Sequence, residues 1–188
     1  MSMRSVSEPE YEDYSCFVSG LVREIRPLRV LEVGLGPSGY SARGVLNALV
    51  ENEKLYGVKG KYTFIELAEE QRAEPFKKVQ AFEKRFWEAR WGDSRNPNLF
   101  CDVTDQGGGD GPVDIALIDG NHTTEYCYND ARNLITTNNI WAEKGLFVFH
   151  DVMMNTVRMA IEKLKEDFNL DVFYMPQRSI ALARIVLT

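Results

Sequence analysis

The chain has 188 residues, of which 44% are hydrophobic and 27% are charged, and its formal net charge at pH 7 is −6. This composition is ordinary for a globular protein. The length is enough for one domain whose hydrophobic core is stable without disulfide bonds or a structural metal. The negative charge argues against a general nucleic-acid-binding protein. No apolar run reaches the ~18 residues of a membrane span.

The cysteines and the N-terminus bear on where the protein works. Cys16, Cys101 and Cys127 have neither a pairing pattern nor a metal-ligand spacing, and residues 1–15 are polar and acidic, without a signal-peptide core. We therefore expect a reducing, cytoplasmic setting. We also expect a single domain over 1–188, in which the first 27 residues form a lead-in and a helix.

A strand, a glycine-rich turn and a helix follow one another near the start of the chain. Residues 29–33 have the apolar character of a buried strand, and residues 41–50 place apolar side chains on one helical face. Between them, Gly34, Gly36 and Gly39 follow the pattern G-x-G-x-x-G. Glycine lets a ligand approach the backbone, and a helix N-terminus adds free N–H groups. The pattern indicates a nucleotide-binding unit, although an ordinary tight turn would look the same.

The remaining elements also alternate between helices and strands. In chain order they are a helix at 14–25 ahead of the first strand, a strand at 61–67, a helical stretch at 68–86 that Pro75 could break, strands at 86–91 and 113–120, a helix at 123–137, a strand at 145–151, a helix at 155–168, and closing strands at 170–176 and 179–187. This order predicts an α/β fold with a mostly parallel, seven-stranded sheet, helices on both faces and a closing antiparallel strand.

Acidic residues gather at the predicted carboxyl ends of the strands, where open α/β sheets bind their ligands. The strand ends carry GLG, Glu66, GDS, DGNH and FHD, so four of the five hold an acid. Several carboxylates would repel a pyrophosphate, and no lysine follows the glycines as in a P-loop. We expect a neutral or cationic ligand that is rich in hydroxyl and amino donors.

These ordered segments resemble a known family. The resemblance is to the class I S-adenosylmethionine-dependent methyltransferases and, within them, to the small-molecule O-methyltransferases of the macrocin and cephalosporin-tailoring type. It covers about residues 28–188 and is carried by VLEVGLGPSGYSA, FIEL, WGDS, VDIALIDGNHTTEY and GLFVFHDV. It implies a Rossmann-like methyltransferase fold, S-adenosylmethionine as the cofactor, and transfer of a methyl group to a hydroxyl, less often an amine, of a small molecule.

The resemblance also implies roles for single residues. The implied cofactor-binding residues are Glu32, Gly34, Gly36, Gly39, Ser41, Glu66, Asp93, Ser94 and Asp119. Among them, Glu32 would lie near the methionine amino group and Glu66 would hold both ribose hydroxyls. Asp93 and Ser94 would contact adenine, and Asp119 would face the reactive methyl. Several of these side chains could equally cap a turn or a helix.

Two readings remain open for the chemistry, because the acceptor hydroxyl must lose its proton to a base or have its pKa lowered by a metal. Related O-methyltransferases bind Mg²⁺ where this chain has Asp119, His150 and Asp151. Mg²⁺ prefers oxygen ligands, so a histidine there weighs against Mg²⁺ and leaves another divalent cation open. The competing reading makes His150 or His122 the general base, and Asp119 is a third candidate catalytic residue. Either histidine could also be structural.

The acceptor is expected to be a small molecule, with neither nucleic acid nor membrane as a partner and with a second copy of the chain left open. The acceptor site would draw on the N-terminal segment, 101–112, 121–126 and 152–156, with Tyr11, Tyr14, Met153 and Met154 as candidate apolar contacts. Asp130, on the helix after Asp119, is placed to hydrogen-bond back to the loop at the strand end.

Two other functions compete with methyl transfer. An NAD(P)-dependent Rossmann oxidoreductase would share the glycine turn and the acid after the second strand, but it would not explain WGDS or the two closing strands. A non-catalytic cofactor-binding protein would share the whole cofactor site and lack only the chemistry.

Overall fold

The computed structural model describes residues 8–36, 38–67, 73–100, 112–137, 140 and 144–186. Its main elements are α1 (Glu8–Ile25), β1 (Arg29–Val33), α2 (Tyr40–Tyr56), β2 (Lys61–Glu66), α3 (Ala73–Gln80), β3 (Trp87–Trp91), β4 (Ile115–Ile118), α4 (Thr124–Thr136), β5 (Leu146–His150), α5 (Asn155–Phe168), β6 (Leu170–Met175) and β7 (Ile180–Ile185). Every strand lies within two residues of its predicted bounds.

The strands form one sheet in the order β3-β2-β1-β4-β5-β7-β6. Strands β1 to β5 pair in parallel, whereas β7 runs antiparallel to both of its neighbours, β5 and β6. The prediction of a mostly parallel, seven-stranded sheet with a closing antiparallel strand is confirmed. Because the chain builds outward from β1 to β3 and then returns to β4, the β1–β4 junction is the switch point where such sheets bind ligands.

The helices cover both faces of the sheet, as predicted. Successive strand residues point to opposite faces, so Ile115 and Leu117 pack with α1 and α2, and Ala116 and Ile118 pack with α4 and α5. A strand that is buried on both faces must be apolar throughout, which explains the run IALI. Among the helices that the structure describes, none combines the length and the apolar character needed to cross a membrane.

The first two helices are longer than the sequence pattern predicts. Helix α1 begins at Glu8, six residues before the predicted start, in a polar stretch without the apolar periodicity that the prediction used. Helix α2 continues past Val50 to Tyr56 and ends where Gly57 adopts a left-handed conformation with φ 71°. A glycine at that position is the common stop signal of a helix.

The predicted helical stretch at 68–86 is shorter in the structure. Residues 68–72 lie outside the described residues, α3 spans Ala73–Gln80, and residues 84–86 form a separate short 3-10 turn. Pro75 lies in the first turn of α3 as described, where a missing N–H leaves no helical hydrogen bond unmade, so α3 continues through it.

The tips of β1 and β4 touch at Gly34. This glycine has φ 90°, and a Cβ atom built on it would lie 2.4 Å from the carbonyl oxygen of Asp119. Any side chain at this position would therefore collide with the backbone that presents Asp119. Position 34 therefore requires glycine for two reasons: the two strand ends pack closely there, and the backbone has a positive φ.

Asp130 on α4 is fully buried behind the tip of β4. Its Oδ2 lies 3.4 Å from where a Cβ atom on Gly120 would be. Neither carboxylate oxygen makes a hydrogen bond of good geometry among the described residues, so the expected bond to the loop after β4 is not found there. Burial raises the pKa of Asp130 to about 7, and the nearby Ser94 hydroxyl opposes only part of that rise.

The free energy of unfolding should depend on pH through the buried carboxyl group of Asp130. The ordinary pKa of Asp130 is 3.8 and the folded-state pKa is about 7, so the unfolded chain loses the proton first as the pH rises. Between those values the wild type should lose up to about 1.4 kcal/mol of unfolding free energy per pH unit relative to Asp130→Asn. Urea unfolding at about pH 5 and about pH 7 measures this difference.

The control for that experiment is Asp171→Asn, which changes an exposed acid on β6. In this variant the free energy of unfolding should change with pH as much as it does in the wild type. If the same were true of Asp130→Asn, Asp130 would not be the buried group that the structure describes.

Candidate functional site

A cavity of about 400 Å³ lies at the carboxyl ends of the parallel strands. Most of the predicted site residues line it: Gly34, Gly36, Ser41, Glu66, Asp93, Ser94, Asp119, His122, His150 and Asp151. Glu32 and Gly39 are predicted site residues that do not line it. The topology thus brings residues from five strand ends, far apart in the sequence, to one pocket.

Glu66 closes the side of the cavity next to the glycine turn. It is the last residue of β2, it is buried, and its Oε2 accepts a hydrogen bond from the backbone N–H of Leu35 at 3.0 Å. Its Oε1 accepts from the N–H of Leu67 at 2.8 Å. These bonds fix the carboxylate, and each oxygen of a carboxylate can accept more than one hydrogen bond. The arrangement suits a ligand that presents two neighbouring hydroxyl groups.

Part of the glycine turn lines the cavity, and part of it packs against α3. Gly36 lines the cavity, and a Cβ atom on it would meet no atom of the described residues within 4 Å. A Cβ atom on Gly39 would lie 3.0 Å from the side chain of Pro75, which places this glycine against α3. Gly39 therefore allows α2 and α3 to pack closely, and its contact with the cofactor stays a prediction.

Glu32 lies beneath the cavity and not in its wall. The side chain is fully buried, and its Oε2 accepts a hydrogen bond from the hydroxyl of Tyr62. Burial, and then the charge of Asp119, raise the pKa of Glu32 to about 8, while the nearby hydroxyls of Ser41 and Tyr62 oppose the rise. Its Oε1 has no hydrogen-bond partner among the described residues.

The loop after β3 is held from two directions. Arg95 binds the Asp93 carboxylate through Nη2 at 2.5 Å and through its backbone N–H at 3.0 Å, and these hydrogen bonds lower the pKa of Asp93. The Arg95 guanidinium also lies 4.5 Å from the ring centroid of Tyr126, another cavity residue. From α4, Asn133 Nδ2 donates to the carbonyl oxygen of Ser94 at 3.0 Å. Sequence reasoning missed Asn133, because nothing in the local pattern marks a helix residue that supports a distant loop.

Two histidines and two aspartates meet at the ends of β4 and β5. His150 Nδ1 lies 2.9 Å from Asp119 Oδ1, and His122 Nε2 lies 3.2 Å from Asp151 Oδ2. One donor atom from each of the four residues lies within 4.8 Å of the others. The predicted catalytic residues and the predicted metal ligands therefore form one cluster, and His122 joins the three residues expected to hold a metal.

The members of this cluster favour one another's charged forms. Burial raises the pKa of Asp119, but His150 and His122 lower it more, so the net shift is downward. Burial lowers the pKa of His150, but Asp119 and then Asp151 raise it above its ordinary value. Asp119, whose Oδ1 lies 3.7 Å from His122 Nε2, raises the pKa of His122, and Asp151 raises it further. The cluster can hold a proton between imidazole and carboxylate, or a cation between all four.

Tyr14 brings helix α1 into the site. Its ring stacks on the imidazole of His150, with the centroids 4.1 Å apart, and it lines the cavity. Its hydroxyl is buried and has no hydrogen-bond partner among the described residues. Burial, followed by the charges of Asp119 and Glu32, raises the pKa of Tyr14 well above its usual range, so the phenol stays neutral.

Of the other segments expected to bind the acceptor, 121–126 lines the cavity through Asn121, His122 and Tyr126. Residues 101–111 and the side chain of Tyr11 lie outside the described part of the chain. Met153 and Met154 follow β5 and are exposed, at 58% and 44%, but they do not line the cavity. The acceptor side of the site therefore stays a prediction.

The fold has clear structural relatives. S-adenosylhomocysteine-bound methyltransferase PaMTH1 of Podospora anserina is 16% identical with a TM-score of 0.69, over 96% of this chain and 89% of its own. The O-methyltransferase TomG of Streptomyces achromogenes, in complex with S-adenosylmethionine, is 16% identical with a TM-score of 0.63, over 97% and 82%. The O-methyltransferase from Bacillus cereus, in complex with S-adenosylhomocysteine, is 14% identical with a TM-score of 0.60, over 98% and 84%.

The sequence comparisons give the family. No curated protein sequence matches the chain. The family model described as a methyltransferase domain matches residues 31–152, which is more than half of the chain and includes the glycine turn and the whole histidine–aspartate cluster. The macrocin and cephalosporin-tailoring subtype stays a prediction. The chain therefore belongs to the methyltransferase domain family, as its resemblance to the class I S-adenosylmethionine-dependent methyltransferases predicted.

Proposed function

We propose that the protein transfers the methyl group of S-adenosylmethionine to a hydroxyl group of a small molecule. The observation that carries this proposal is one cavity that holds both Glu66, fixed against the glycine turn, and the Asp119–His150 pair. A nicotinamide-dependent oxidoreductase is disfavoured by the family match. A non-catalytic binding protein would have no use for the histidine–aspartate cluster.

The residues present fit the nucleoside cofactor. Glu66 offers acceptors for two ribose hydroxyls, and Gly36 leaves room for a ligand close to the backbone. Asp93 and Ser94 line the same cavity and are proposed to contact the adenine. The buried carboxylate of Asp119 favours a positively charged ligand. When bound, the sulfonium of the cofactor supplies the methyl group.

His150 is proposed as the base that takes the proton of the acceptor hydroxyl. With its Nδ1–H donated to Asp119 Oδ1 at 2.9 Å, His150 keeps Nε2 as the proton-accepting atom. Asp119 then orients the imidazole and stabilises the imidazolium, as the acid does in a histidine–aspartate pair. The likeness to TomG and to the Bacillus cereus enzyme, both described as O-methyltransferases, supports oxygen as the acceptor atom.

A second use of the same four residues is a cation site. Four donor atoms within 4.8 Å of one another, two of them imidazole nitrogens, fit a transition-metal ion better than Mg²⁺, which prefers oxygen ligands. Asp119, His122, His150 and Asp151 would hold such an ion, which would lower the pKa of the acceptor hydroxyl.

Methyl-labelled S-adenosylmethionine, incubated with the protein and a panel of phenols, sugars and amines, tests the proposed function. We expect labelled methyl ethers together with S-adenosylhomocysteine. Labelled amines alone would contradict the acceptor atom. Tight binding of S-adenosylhomocysteine with no transfer to any compound would favour a non-catalytic protein.

With an acceptor identified, His150→Ala and Asp119→Asn should each lower kcat by about 10²–10⁴-fold, the usual contribution of a positioned base. The Kd of S-adenosylhomocysteine should change only a few-fold, because neither change removes the Glu66 contacts. Steady-state kinetics and calorimetry measure the two quantities. An unchanged kcat in both variants would exclude the pair from the chemistry.

Glu66→Gln should weaken the binding of S-adenosylhomocysteine by about 10–100-fold, because it removes charge-assisted hydrogen bonds to the ribose. Isothermal calorimetry measures the Kd, and the thermal midpoint of each variant checks its folding. Glu166→Gln, on the exposed side of α5, is the matched control and should bind like the wild type. Binding of NADH by the wild type, with none of S-adenosylhomocysteine, would contradict the proposed cofactor.

Metal titration tests whether the four residues bind a cation or whether His150 acts as a base without one. Calorimetry with Zn²⁺, Mn²⁺ and Mg²⁺ alone should show that any cation bound by the wild type is lost in His122→Ala, since His122 belongs to the cluster and is not the proposed base. If His122→Ala binds the ion as tightly as the wild type, the four residues are not the cation site. Full activity after treatment with a chelator would leave His150 as a base acting alone.

A further inference from the structure

A lysine of helix α3 contacts the end of the glycine turn. Lys78 Nζ donates a hydrogen bond to the carbonyl oxygen of Ser38 at 2.6 Å, and it lies 4.3 Å from the ring centroid of Tyr40. Ser38 and Tyr40 line the cavity, whereas Lys78 does not. Lys78 therefore contacts two residues of the cavity wall without being part of that wall.

The segment that Lys78 contacts is costly to order. Gly36 and Gly39 have φ 64° and 59°, and glycine loses more conformational freedom on folding than any other residue. Gly39 precedes α2 without a side-chain hydrogen bond to the first N–H groups of the helix, and the first turn of α2 has no acidic residue. The usual stabilisers of a helix start are thus missing here, and a contact from another element has more to contribute.

The placement of Lys78 is not explained by the stability of a helix. A helix N-terminus carries partial positive charge, so a lysine beside the start of α2 is electrostatically disfavoured. The preceding residue of α3, Lys77, is exposed and pairs with Glu74 of the same helix at 2.5 Å. Lys78 is half-buried instead, and it uses its ammonium on Ser38 and Tyr40. Its contacts are therefore directed at the glycine turn.

The same segment is also held by packing and by helix α1. A Cβ atom on Gly39 would lie 3.0 Å from the side chain of Pro75, so the backbone of the turn lies against the first turn of α3. Ser15 of α1 donates through Oγ to the carbonyl oxygen of Tyr40 at 2.7 Å. These contacts remain when Lys78 is replaced, so we expect the variants of Lys78 to fold.

We infer that Lys78 is a positioning residue that keeps the glycine turn in the shape that binds the cofactor. The inference rests on the proposed function. Lys78 makes no contact with the ligand under it, and acts by raising the fraction of ligand-free molecules whose turn is ready to bind. The Kd varies inversely with that fraction, so losing the contact weakens binding although no ligand contact is removed.

Two substitutions at position 78 and one at position 77 test the effect on binding. Lys78→Met keeps a long side chain but removes the charge and the N–H donors, and it should raise the Kd of S-adenosylhomocysteine by about tenfold, as when the turn is competent in about a tenth of the molecules. Lys78→Arg keeps the charge and the donors and should stay within about threefold of the wild type. Lys77→Met, the matched control, should bind like the wild type. Calorimetry on the full chain measures each Kd.

A second ligand distinguishes positioning from direct contact. 5′-Methylthioadenosine keeps the nucleoside and the thioether of S-adenosylhomocysteine and lacks its charged amino-acid part. Because the turn lines the cavity that both ligands would share, Lys78→Met should raise the Kd of both by a similar factor. A rise confined to S-adenosylhomocysteine would mean that Lys78 acts directly on the charge of the ligand, and it would overturn the inference.

Hydrogen exchange observes the turn without any ligand. The backbone N–H of Arg43 donates to the carbonyl oxygen of Gly39 at 3.2 Å, so its exchange reports opening of the turn at the start of α2. In the ligand-free protein this N–H should exchange faster in Lys78→Met than in Lys77→Met. Equal exchange in the two variants, or faster exchange beside an unchanged Kd, would overturn the inference and leave the cofactor site in place. A wild type that bound neither ligand would overturn the proposed function together with the inference.

Discussion

The site depends on the common register of the parallel strands. Val33 of β1 pairs with Ile65 of β2 on one side and with Ile118 of β4 on the other. The next residue of β2 and the next of β4 are Glu66 and Asp119, so the backbone ladder itself brings these two acids to the same edge. A slip of either pairing by one residue would turn the side chains of that strand to the opposite face and separate these two acids.

Much of this arrangement could be predicted because it follows from local patterns. The apolar runs located the strands to within two residues, and the rule that ligands bind at the carboxyl ends of parallel strands selected the residues that follow them. His150 and Asp119 could be expected to meet because each ends a buried strand. The sequence was less informative about how far each side chain lies below the cavity. Glu32 lies within β1 and shares its face with Val30, which packs toward α1 and α2, so it reaches Tyr62 beneath the cavity.

The contacts made by helices could not be read from the sequence. Tyr14 and His150 are far apart in the chain, and an aromatic residue at helical spacing gives the same pattern whether it faces a strand or a histidine. The same holds for Asn133, whose amide supports the loop at Ser94. Both contacts depend on how far along the sheet each helix lies, which is decided by packing of the whole layer and not by any short segment.

The contact between Gly34 and the backbone of Asp119 has a consequence for engineering this protein. A loop that replaces the one after β4 would have to meet a glycine at position 34, because any Cβ atom there would lie 2.4 Å from the carbonyl oxygen of residue 119. A chimera with a new loop after β4 would therefore have to keep the glycine at position 34. Directed evolution should for the same reason find tolerated changes in the outer loops and almost none at position 34.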